Sequence, residues 1–102
     1  MLAVVAEKET KLREICRRFH VRRLEIFGSA LDGDFDSARS DFDFLVEFES
    51  LPAGVYSSNY FGLIEALEQL FQRRIDLVIG SAIRNPYFRE SVERSKALLY
   101  AA

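Results

Sequence analysis

Two aspartates, Asp41 and Asp43, stand two residues apart in the apolar stretch SDFDFLVEF, and a third, Asp76, sits in IDLVI. Alternate side chains of an extended strand leave the same face, so the carboxylates of Asp41 and Asp43 project together, roughly 6–7 Å apart along the chain. Two unpaired anions beside an apolar core are costly to desolvate. A hard divalent cation removes that cost, and Mg²⁺ takes one or two protein carboxylates, completing its shell with water and the phosphates of a substrate. With Asp76 on a second strand, three carboxylates suffice for two metals. Upstream, Gly28-Ser29 ends the run LEIF and opens a turn, where free backbone N–H groups and a hydroxyl can bind phosphate oxygens and glycine permits close approach. A phosphate cradle beside an Asp-x-Asp metal pair suits attack at the α-phosphate of a nucleoside triphosphate, with metals stabilising nucleophile and leaving group. Water, a hydroxyl compound or a protein side chain could be the acceptor.

Rival chemistries fit less well. Asp32, Asp34, Asp36 and Asp43 occupy positions 1, 3, 5 and 12 of a calcium-binding loop. Ser37, however, stands where that loop needs glycine for its sharp turn, Asp43 replaces the bidentate glutamate, and a strand follows where a helix is required. One cysteine, Cys16, and one histidine, His20, do not make a zinc set. Cys16 falls on an apolar helix face and reads as core, and His20 as an exposed connector. Tyr56, Tyr60, Tyr87 and Tyr100 read as packing or interface residues that the sequence does not sort.

The elements that must position the acids follow from periodicity. In KLREICRRF, Leu12, Ile15, Cys16 and Phe19 recur at helical spacing. RRLEIF reads as a strand, and ALDGD as a short helical turn before a polar loop. SDFDFLVEF alternates, placing Phe42, Phe44, Val46 and Phe48 on a core face and Asp41, Asp43, Leu45 and Glu47 on the other. ESLPAGVYSSN reads as a loop. Phe61, Ile64, Leu67, Leu70 and Phe71 then predict a second amphipathic helix, capped by Ser58 or Asn59. RRIDLVIG is a third strand, and Asn85-Pro86 an N-cap and first-turn pair opening a closing helix over YFRESVERSKALLYAA. The order predicts an α+β (mixed α/β) fold, a small mixed β-sheet with helices packed on it, as a single domain over residues 1–102.

The totals exclude whole classes. At 102 residues, 49% hydrophobic and 29% charged, the chain has the composition of one globular domain, not of a fibre or a disordered segment. No apolar run reaches the roughly 20 residues that span a bilayer, and the N-terminus lacks the pattern of a secretory signal, so a cytoplasmic location is expected. A net charge of −2 gives no global attraction to nucleic acid, and none is expected to bind directly. Arg17, Arg18, Arg22 and Arg23 form a basic cluster that reads first as a solvated helix end, with a binding patch for phosphate or carboxylate as the alternative.

FGS, then SDFDFLVEF, then IDLVI resemble the minimal nucleotidyltransferase (MNT) domains of the DNA polymerase beta superfamily, over nearly the whole chain. The resemblance implies Mg²⁺-dependent transfer of a nucleoside monophosphate from a triphosphate, most often ATP, at a two-metal site. It implies that Gly28 and Ser29 hold the triphosphate, that Asp41 and Asp43 bind the metals, and that Asp76 completes the site and positions the acceptor hydroxyl. Small members of that family are commonly antitoxins of a HEPN-type ribonuclease toxin, which some silence by adenylylating a tyrosine. A cognate HEPN-type toxin is the partner this implies, with a homo-oligomer also allowed. The other expectations are an inactive antitoxin that neutralises its partner by binding, and an enzyme acting on a small hydroxyl compound such as an antibiotic. Two departures stand beside the phosphates. Eleven residues, Ala30 to Ser40, separate Ser29 from Asp41, one more than is usual in the family, and Asp32 stands near where many relatives have arginine.

Overall fold

The computed structural model describes residues 3–28 and 41–102. The chain runs α1 (Ala3–Glu7), α2 (Glu9–Arg18), β1 (Val21–Phe27), β2 (Phe42–Phe48), α3 (Ala53–Phe71), β3 (Ile75–Ile79), a 3₁₀ turn (Gly80–Ala82), α4 (Pro86–Ser95) and β4 (Ala97–Ala101). One four-stranded sheet has the order β3-β2-β1-β4. β1 pairs antiparallel with β2 and β4, whereas β2 and β3, joined through α3, are parallel. This is the small mixed sheet with packed helices that the element order implies.

The alternation in β2 divides the sheet into two unequal faces. Leu24 and Ile26 of β1 join Phe42, Phe44 and Val46 of β2 in the main core, against Leu12 and Cys16 of α2 and Leu63, Leu67 and Phe71 of α3. Phe42, Phe44 and Phe71 form an aromatic knot with ring centroids 5.2–6.0 Å apart, within the range of favourable edge and offset contacts. The opposite face carries a smaller cluster in which Phe27 and Leu45 meet Ile83 and Val92, the last from α4. Cys16 is fully buried, and that burial pushes its thiol up to about 12, so it behaves as a small core residue.

Three local expectations are corrected. ESLPAGVYSSN is a loop only over its first four residues, because α3 begins at Ala53 directly after Pro52. Ser58 and Asn59 consequently lie inside the helix: the Ser58 hydroxyl donates to the Val55 carbonyl at 3.0 Å, and buried Asn59 donates through Nδ2 to the Phe19 carbonyl at 2.7 Å. That tie to the end of α2 and the packing of Leu63 outweigh the low helix propensity of Gly54, Ser57 and Ser58. The closing helix stops at Ser95, and ALLYA forms β4, registering Leu24 with Tyr100 and Ile26 with Ala97. A short apolar run carries no decisive period, and the open edge of β1 decides it. The short helix α1, with Val5 buried, is also absent from the expected order.

Asn85 caps α4 as expected, its Oδ1 accepting from the N–H groups of Tyr87 at 2.9 Å and Phe88 at 3.2 Å. Replacing Asn85 with Ala leaves those donors to water, and urea unfolding is expected to show a loss of about 1 kcal/mol.

Candidate active site

Strand register brings two of the three aspartates together. Phe27 of β1 pairs with Asp43 of β2, and Asp43 pairs in turn with Asp76 of β3. Paired residues of neighbouring strands share a face, so Phe27, Asp43 and Asp76 form a row across the sheet, on the side covered by α4. Asp41 lies just before β2, half-buried, on the same side as Asp43 by alternation. The two strands that carry Asp43 and Asp76 are parallel, and their crossover is the 19-residue helix α3, which spans the 32 residues between the acids together with its connections.

The electrostatics record that closeness. Burial first, then the adjacent Asp76 charge, a side-chain hydrogen bond to Asp76 and the Asp41 charge, together push the Asp43 carboxyl up to about 6. Among the described residues, no three acidic, histidine or cysteine side chains are gathered tightly enough to enclose an ion by themselves. Mg²⁺ requires less, because two protein carboxylates with water and phosphate oxygens complete its shell, and the Asp43–Asp76 pair fits that donor set.

Gly28 closes the other side. It follows Phe27 with φ +76°, a left-handed conformation that L side chains rarely adopt. A Cβ placed there would lie 2.6 Å from Asp43 Oδ2, so glycine lets the backbone lie against the carboxylate. The Gly28 N–H does not stand open toward a phosphate, however: it donates to Ser95 Oγ at 3.2 Å, at the end of α4. Ser29 and the Asp32 departure lie outside the described residues.

Periodicity did not single out the walls of this site. A cleft of about 480 Å³, within the ~300–1,000 Å³ usual for ligand sites, is lined by Asp43, Asp76, Tyr60, Ile64, Phe27 and Phe88 among others. Phe88 meets the Phe27 ring edge-on at 6.1 Å. The Tyr60 hydroxyl donates to the Leu77 carbonyl at 2.6 Å, one residue from Asp76. The i, i+4 spacing of Tyr60 and Ile64 on α3 was the available signal, but without knowing that α3 flanks β3 it points only to packing.

The sequence pattern of the nucleotidyltransferase domain family matches residues 9–99. Protein adenylyltransferase MntA of Thermococcus cleftensis is 37% identical over 73 residues, covering 72% of this chain and 70% of that protein. A solved minimal nucleotidyltransferase superposes with a TM-score of 0.72 at 29% identity, over 90% of this chain and 89% of that one. The MNT antitoxin fold also appears, at 18% identity and a TM-score of 0.64 over 96% of this chain and 73% of the other, in a structure of tri-AMPylated Shewanella oneidensis HEPN toxin with MNT antitoxin. With its acids set in register on that fold, the chain belongs to the nucleotidyltransferase domain family.

Proposed function

We propose that this protein transfers AMP from ATP to a tyrosine hydroxyl of a cognate HEPN-type toxin, and acts as the antitoxin of that pair. The observation that carries the reading is the direct pairing of Asp43 with Asp76, which sets two carboxylates side by side next to a glycine whose missing side chain leaves room for them. The relative named protein adenylyltransferase MntA and the likeness to an MNT antitoxin found with an AMPylated HEPN toxin support the acceptor class.

Asp41, Asp43 and Asp76 would hold Mg²⁺, which when bound supplies positive charge to the phosphate oxygens at the attacked and leaving positions. Gly28, through the close approach its missing side chain allows, and Ser29 would keep the triphosphate against β1. Asp76, on the edge strand, would accept the acceptor hydroxyl's proton as its oxygen bonds to the α-phosphorus. The α–β phosphoanhydride bond then breaks and pyrophosphate leaves. Phe27, buried beside Asp43, excludes water from one side of the row, which strengthens the electrostatic contacts within it.

With α-labelled ATP, Mg²⁺ and the toxin encoded beside it, the wild-type protein is expected to label the toxin, and Asp41→Asn to label it at least about 10²-fold more slowly. Undiminished transfer by Asp41→Asn removes the site assignment. A second reading, a spent fold that silences the toxin by binding alone, is favoured by the Gly28 N–H being occupied by Ser95. Under it, wild type transfers nothing, and Asp41→Asn protects cells from the toxin as well as wild type does.

A further inference from the structure

The cleft at Asp76 does not end there. A second hollow of about 330 Å³ shares Tyr60, Val78 and Phe88 with it and continues past Ala82 and Ile83 to Asn85. Together they make one groove along the outer border of β3, which no strand among the described residues covers. Tyr60 of α3 walls it on one side, and Phe88 of α4 walls it on the other. It does not suit an added β-strand. The Arg74 carbonyl accepts from the Phe42 N–H, so the peptide groups of alternate residues 75, 77 and 79 turn away from β2. Two of those outward groups are already taken, the Leu77 carbonyl by the Tyr60 hydroxyl and the Ile75 N–H by Glu68 Oε2 at 3.3 Å. What the groove offers a visitor is side-chain surface, aromatic and aliphatic along its length, with the aspartates at one end and Arg84 and Asn85 at the other.

The order of the sheet assigns the visitor. Gly28 ends β1, Asp43 lies on β2 and Asp76 on β3, so the phosphate side and the groove lie at opposite ends of the acid row. A nucleoside triphosphate held at the β1 end leaves the β3 end for the group that attacks it. We infer that the groove between Tyr60 and Phe88 seats the acceptor segment of the partner protein, taking an aromatic side chain between the two rings and delivering its hydroxyl to Asp76. This rests on the transfer reading above and adds to it the residues that select the acceptor. Flat aromatic walls on two sides favour an aromatic hydroxyl over serine or threonine, whose short side chains would leave both rings uncovered.

The test compares wild type, Phe88→Ala and Ala82→Arg. The third fills the outer half of the groove from an exposed position and deletes no buried contact. With labelled ATP and the HEPN-type toxin, both variants are expected to raise the KM for the toxin at least tenfold. The dissociation constant for a non-hydrolysable ATP analogue, measured by calorimetry, is expected to stay within twofold in both. An unchanged KM for the toxin in Ala82→Arg overturns the inference. So does a tenfold loss of analogue affinity in both variants, since the groove would then hold the nucleoside. Failure of the transfer reading has a different signature, an absence of labelling by wild type.

Discussion

Replacing Asp43 with Asn is expected to have two opposite effects, a loss of label transfer of about 10²–10³-fold, the scale of removing one electrostatic stabiliser, and a gain in the stability of the metal-free protein. The gain follows from the strand register. Asp43, half-buried, sits beside the exposed Asp76 and feels Asp41 as well, and its carboxyl is pushed up to about 6. A carboxylate whose pKa is raised on folding binds more protons in the native than in the unfolded state, so its ionisation costs stability as pH rises from about 4 through about 6. Asn removes that cost without changing shape. Water reaches the site and screens part of the repulsion, which holds the gain to about 1 kcal/mol, or roughly 4–8 °C in the thermal midpoint. Scans in EDTA at pH 7.5 should show the variant melting above wild type, and at pH 3.5 the two should coincide. Equal midpoints at pH 7.5 would mean that the acids do not oppose one another.

The second large effect belongs to the core. Phe44 is fully buried, pairs with Ile26 and Leu77 across two strands, and packs against Phe42 and Phe71 at centroid distances of 6.0 and 5.8 Å. Phe44→Ala deletes the centre of that knot, and about 3–5 kcal/mol is expected to go with it. Against the roughly 5–15 kcal/mol that holds a domain of this size together, that loss leaves a substantial unfolded population on warming. Denaturant unfolding measures it directly. Activity per folded molecule should persist at low temperature, because Phe44 points away from the acid row although it follows Asp43 in the chain.

The face assignment of β2 was legible because four apolar and four polar or mixed positions alternate without interruption from Asp41 to Phe48. Asp76 drew attention because an acid inside IDLVI conflicts with its neighbours. That Asp76 lies beside Asp43 was not legible, since parallel register is set by how α3 packs back across the sheet and by no local signal. The start of α3 was hidden because Gly54, Ser57 and Ser58 have loop-like composition, and the buried Asn59 contact that overrides them joins residues 40 apart in sequence. β4 was read as helix because LLYA has no period of its own, and its conformation is imposed by β1. Phe88 and Tyr60 come from elements on opposite faces of the sheet, and they meet only around the border of β3.

The hydroxyl of Tyr60 and the carboxylate of Glu68 have a further consequence. An unguarded strand border invites another molecule to continue the ladder, the first step toward insoluble assemblies, and proteins commonly blunt such borders with bulky or charged groups. On β3 two of the outward peptide groups are plugged by side chains from α3. The helix that carries the chain from one acid-bearing strand to the next therefore also caps, at that flank, two of the peptide groups through which a second copy would continue the ladder.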